Sequence, residues 1–179
     1  MITYQLMIAE SFPKWHSRAG EPTYFVDKIQ NAEVQITNPF WGAHLLPESE
    51  VKKKLHTFRG NYAKWQKRFK KIERGEACLS VRVWAGVPYR SDQRVICNLG
   101  KDDGIGLQLL QFRDPRPYSI SKFTWVGMPH VDGKRVGVAQ FANNDGLTVE
   151  DWIRWLIEAP KSDLTQDFAL IQLTDFRYN

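Results

Sequence analysis

Residues 61–75 constrain this chain more than any other stretch. Tyr62, Trp65, Phe69 and Ile72 recur at spacings of three and four, which puts them on one face of a helix. Asn61 reads as its N-cap and Gly75 as its stop. A helix with one apolar face must bury that face, and the chain that follows supplies a partner. Strand patterns run over 77–84, 94–99, 106–112, 121–126 and 135–141, with Asp132-Gly133 as a tight hairpin signal between the last two. Ahead of the helix, residues 2–9 read as a strand, and Pro22 fits the first turn of a short helix reaching about Gln30. Behind the strands, 148–157 reads as a helix with Val149, Trp152, Ile153 and Leu156 apolar, and 168–173 as a last strand. This order implies an α+β protein: a small curved or closed sheet of mostly antiparallel strands with a few flanking helices.

The length, 179 residues, suits one domain with a real core. Hydrophobic content of 42% and charged content of 25% exclude a disordered chain. No apolar run approaches the roughly 20 residues of a membrane helix, and no basic region precedes the apolar start, so no membrane partner and no signal peptide are expected. Cys78 and Cys97 each lie in an apolar strand pattern and read as buried thiols. Two such cysteines exclude a disulfide scaffold and make the cytoplasm the expected compartment.

The net charge of +5 permits an anionic partner without demanding one. Its distribution says more. Lys52, Lys53, Lys54, Arg59, Lys64, Lys67, Arg68, Lys70, Lys71 and Arg74 fall in one short region, opposed only by Glu73. A basic face this dense reads either as a phosphate-facing surface for RNA or as a solvated helix face.

Within that region lies Lys54-Leu55-His56-Thr57-Phe58-Arg59. Strand alternation would send Lys54, His56 and Phe58 to one side and Leu55, Thr57 and Arg59 to the other. A hydroxyl flanked by Lys and Arg can grip a phosphate or take part in acyl chemistry. An edge strand decorated with basic residues is the alternative.

The hexapeptide resembles the K-x-x-T-x-R signature of the ASCH family, in the PUA-like superfamily. Gly20, Thr23, Phe25 and Ile29 resemble that family's first helix, residues 75–81 the strand after the signature, and Asn144-Asp145-Gly146-Leu147 with the strand ending at Phe176 its closing unit. The resemblance spans most of the chain as a single domain, with an inserted loop at about 32–53 and an extended middle at about 82–134. It implies a PUA-like β-pseudobarrel. Some small members resemble acetylcytidine amidohydrolases, and the carry-over of their catalytic groups gives Lys54, Thr57 and Asp145. The family carboxylate is a Glu, one methylene longer than Asp145. An Asp-Gly ahead of a helix is also a common turn.

A second constellation follows the first long strand pattern. Gly86 and Pro88 make a turn, after which Tyr89 and Arg90 join Trp84 as an aromatic platform with a guanidinium. That mixture suits a stacked nucleobase and its phosphate, or is an incidental turn. Asp102-Asp103 and the four His residues show no metal-ligand spacing, and Gly104-Ile105-Gly106 is no dinucleotide fingerprint, so neither metal nor cofactor is expected. Three functions fit. The first is binding of RNA or a modified nucleotide through a cleft built by Lys54, Thr57, Arg59, Trp84, Tyr89 and Arg90, with Lys64, Lys67, Arg68 and Lys71 on the adjoining helix. The second is a small amidohydrolase acting on an acylated nucleoside. The third is a scaffold whose basic helix docks an acidic protein.

Overall fold

The computed structural model describes residues 1–32, 52–113, 127–157, 159 and 163–179. Most of the inserted loop, including Trp41, and the strand expected over 121–126, with Trp125, lie outside the described residues.

Eight strands and four helices are described: β1 (Ile2–Met7), α1 (Phe25–Gln30), β2 (His56–Gly60), α2 (Tyr62–Glu73), β3 (Ala77–Trp84), β4 (Gln93–Leu99), β5 (Gly106–Arg113), β6 (Met128–Val131), β7 (Lys134–Arg135), α3 (Val138–Asn144), α4 (Val149–Ile157) and β8 (Phe168–Gln172). They form two sheets, ordered β1-β3-β4 and β2-β8-β5-β6-β7. The β1–β3 pairing is parallel; the other described pairings are antiparallel. The protein is therefore α+β with mostly antiparallel strands. Among the described residues no helix is long and apolar enough to cross a membrane.

Sequence explains the centre of each sheet. All five residues of β8 are buried, because its run Phe-Ala-Leu-Ile-Gln is covered on both faces. β3 is buried over Ala77–Val81 for the same reason. Helix α2 lies across β3, β5 and β8 and buries Trp65, Phe69 and Ile72, the residues its periodicity selects. The Asn61 side chain caps it by accepting from the Lys64 N–H at 3.1 Å. Cys78 and Cys97 are buried free thiols, and burial pushes Cys97 up to about 12.

The chain departs from the sequence reading after the hairpin. Asp132 and Gly133, both at positive φ, join β6 to β7. The strand expected over 135–141 does not form: β7 stops at Arg135 and α3 takes Val138–Asn144. Val136 and Val138 imitate strand alternation, but Phe141 and Ala142, three and four residues beyond Val138, are the buried positions and complete a helical face. Asp145 thus ends one helix rather than opening the next. It is the C-cap of α3, and Gly146 turns the chain toward α4. Gly146 has φ +77°, and a Cβ there would lie 3.2 Å from Lys28 and 3.3 Å from Lys54, so only glycine suits this joint.

Candidate functional site

Three irregular segments converge where the sheets meet: the chain before β2, the α3–α4 joint and the turn between β3 and β4. Lys54 lies two residues ahead of β2, so strand alternation does not govern it. Its backbone N–H donates to Lys28 O at 2.9 Å, and Leu55 N–H donates to Asn144 O at 2.8 Å. These bonds turn Lys54 and Thr57, which alternation would separate, into the lining of one cavity of about 1090 Å³.

The cavity also takes in Arg59, Asp145, Trp84, Tyr89 and Arg90. Its deep end is polar and closed: Lys54 is 2% exposed, Asp145 5% and Thr57 6%. Its rim is aromatic and open: Trp15 is 44% exposed and Tyr89 88%. The Trp84 and Tyr89 ring centroids stand 5.2 Å apart. Tyr89 holds φ +65°, a costly conformation for an aromatic residue and one common at ligand sites.

Lys54 Nζ donates to Asp145 Oδ1 at 2.5 Å and to the Asp145 carbonyl at 2.8 Å, and it stands 4.0 Å from the Phe25 ring centre. Burial lowers the Lys54 pKa and raises that of Asp145; the pairing of the two opposes both shifts. Two hydrogen bonds from the ammonium to Asp145, with the Phe25 ring beside it, hold the pair together. Arg59 reaches from β2 with Nη1 donating to the Thr57 hydroxyl at 2.9 Å and Nη2 donating to the carbonyl of Met7, which ties the second sheet to the end of β1. The Thr57 oxygen therefore faces a fixed positive charge, which favours an alkoxide or an anionic ligand oxygen beside it.

The basic residues of α2 lie elsewhere. Lys64, Lys67, Arg68 and Lys71 do not line the cavity; Lys64 and Lys67 are exposed, and Arg68 sits over the Tyr4 and Trp65 rings at 5.1 and 4.6 Å.

Several site residues escaped the sequence reading. Lys28 is buried on α1 and its ammonium donates to Gly146 O at 3.0 Å. A Lys three residues after Phe25 and beside Ile29, on an apolar face, was the available signal. Trp155 walls the cavity from α4, and Trp15 stands at the rim. His56 is fully buried beneath Asp145, with Tyr178 hydrogen-bonded to it at 2.8 Å; nothing in the spacing of residues 56 and 178 announces that contact.

The chain matches no family model, no curated protein and no solved structure.

Proposed function

We propose that this cavity binds a nucleoside or nucleotide, free or displayed by RNA. The observation that carries the reading is that Lys54, Thr57, Arg59 and Asp145 share one cavity with Trp84, Tyr89 and Arg90. Its volume, about 1090 Å³, stands just above the roughly 300–1,000 Å³ of small-molecule sites and has room for a base with its sugar and neighbouring groups. The base stacks at the aromatic rim, a phosphate meets Arg90, and a polar substituent enters the closed end against Lys54 and Thr57. Membership of the ASCH family, and closure of the two sheets into a PUA-like pseudobarrel, belong to the same proposal.

The amidohydrolase reading is the second, favoured by the Lys54–Asp145 contact and by the bond from Arg59 to Thr57. In it, the Thr57 oxygen attacks the acyl carbonyl and its proton passes to the Asp145 carboxylate. The tetrahedral oxyanion faces the Lys54 and Arg59 cations. Collapse breaks the C–N bond, and the leaving amine takes the proton from Asp145. Water then cleaves the Thr57 ester, releasing the carboxylic acid and restoring the hydroxyl.

Calorimetric titration with cytidine, cytidine 5′-monophosphate, N4-acetylcytidine and a short single-stranded RNA, beside a hydrolysis assay on the acetylated nucleoside, tests both readings. For a binding protein, Thr57→Val weakens affinity by about 1 kcal/mol, one hydrogen bond. For a hydrolase, it abolishes turnover while the ligand still binds. Absence of binding across the panel overturns the nucleotide reading, and turnover that survives Thr57→Val removes Thr57 as nucleophile.

A further inference from the structure

Behind Asp145 lies a buried polar array that the proposed chemistry does not use. Gln108 on β5 clamps the Tyr178 backbone: its Oε1 accepts from Tyr178 N–H at 3.0 Å, and its Nε2 donates to Tyr178 O at 2.9 Å. The ring is stacked on Phe141 at 5.7 Å and meets Phe176 edge-on at 4.9 Å. The Tyr178 hydroxyl is thereby held in one place. Asn144 Nδ2 donates to it at 2.9 Å, and His56 Nε2, 2.8 Å away, is the acceptor within reach of its single proton. A neutral His56 that accepts at Nε2 must carry its proton on Nδ1. That nitrogen has no hydrogen-bond partner among the described residues, and Asp145 Oδ1 lies 3.8 Å from it.

We propose that His56 is a positioning residue: Asn144, Tyr178 and His56 form a one-way series of donors that presents the His56 Nδ1–H to Asp145 and keeps its carboxylate an acceptor for Lys54. The inference rests on reading Lys54 and Asp145 as the ligand-facing pair. An orphaned buried donor is rare and costly, so its retention needs a reason. The reason here is exchange: a ligand oxygen that draws the Lys54 ammonium away leaves Oδ1 with the imidazole N–H as its replacement donor. Lys54 and Arg59 are the cations that act on Asp145, and Lys54 is the cation that acts on His56. Burial and the Lys54 charge hold His56 well below its ordinary pKa, consistent with a neutral ring.

Nitrogen-15 spectra of the imidazole at neutral pH decide the matter. The expected wild-type spectrum has the proton on Nδ1 and a bare Nε2. Asn144→Asp replaces the amide donor by an acceptor of the same shape, draws the tyrosine proton to itself, and leaves Nε2 protonated. A wild-type ring protonated at Nε2, or at both nitrogens, overturns the proposal, as does a bare Nε2 in folded Asn144→Asp. Tyr178→Phe keeps the ring contacts and removes only the hydroxyl. Carbon-13 titration of the Asp145 carboxyl should then show its midpoint raised by about one pH unit, the scale of one lost donor; an unchanged midpoint overturns the positioning role. These spectra need no ligand. If they come out as expected while cytidine 5′-monophosphate fails to bind, the nucleotide reading falls and the donor series stands.

Discussion

Lys54 and Asp145 are each almost fully buried, and each is tolerable only because of the other. Removing one partner leaves the other's charge without its ion pair in a closed space. Lys54→Met should therefore destabilise the protein by about 3–5 kcal/mol, measurable by urea unfolding; a cost below about 0.5 kcal/mol, the scale of surface changes, would mean that the ammonium is solvated. His56 carries a pH dependence of definite sign. Its folded pKa lies well below its ordinary value because it is buried beside Lys54. As pH falls below about 6.5, the unfolded chain takes up a proton that the folded chain refuses, so stability falls toward acid. The slope approaches 1.4 kcal/mol per pH unit for one proton. Unfolding curves at pH 7, 6 and 5 should show it in wild type, and His56→Phe should lack that part of the slope.

The helices divide by how well their own residues announce them. α2 is amphipathic, capped at Asn61 and stopped at Gly75, and it forms where its pattern places it. Trp65 faces the sheet at 6% exposure, so Trp65→Ala should cost about 3–5 kcal/mol in chemical denaturation. A near-zero cost would put the indole at the surface. α3 is the contrary case. Its seven residues lack an N-terminal side-chain cap, and Gly137 holds the cap position. Its existence depends on burying Phe141 against His56, Trp152 and Tyr178, rings supplied by β2, α4 and the segment after β8. α3 in turn sets Asp145, since that residue is its C-cap.

Across the molecule, the basic helix and the polar cavity are separate features. They make different predictions about salt. A mononucleotide held in the cavity meets few cations, so its affinity should depend weakly on salt. Single-stranded RNA that also runs along α2 should show a steeper dependence, by roughly 0.7 in log–log slope for each phosphate contacted. Lys64→Glu with Lys67→Glu should flatten that slope for RNA and leave mononucleotide affinity unchanged. Equal slopes for both ligands would confine recognition to the cavity and leave α2 a solvated face.

Local pattern accounts for α2, α4, the buried run of β8, the Asp132-Gly133 hairpin and the long strands β3 to β5. In each, periodicity, capping or turn chemistry acts over neighbours a few residues apart. The hexapeptide Lys54–Arg59 and the turn Trp84–Arg90 also stand out from composition alone as concentrations of cations, hydroxyl and aromatics. Their meeting does not. Lys54 reaches Asp145 across 91 residues, and His56 reaches Tyr178 across 122. Alternation misplaced Lys54 because the strand begins only at His56, and its true direction is set by backbone bonds to Lys28 and, through Leu55, to Asn144. A side chain's direction outside regular structure follows from which distant backbone groups satisfy its own segment, and that is decided only when helices and sheets have packed.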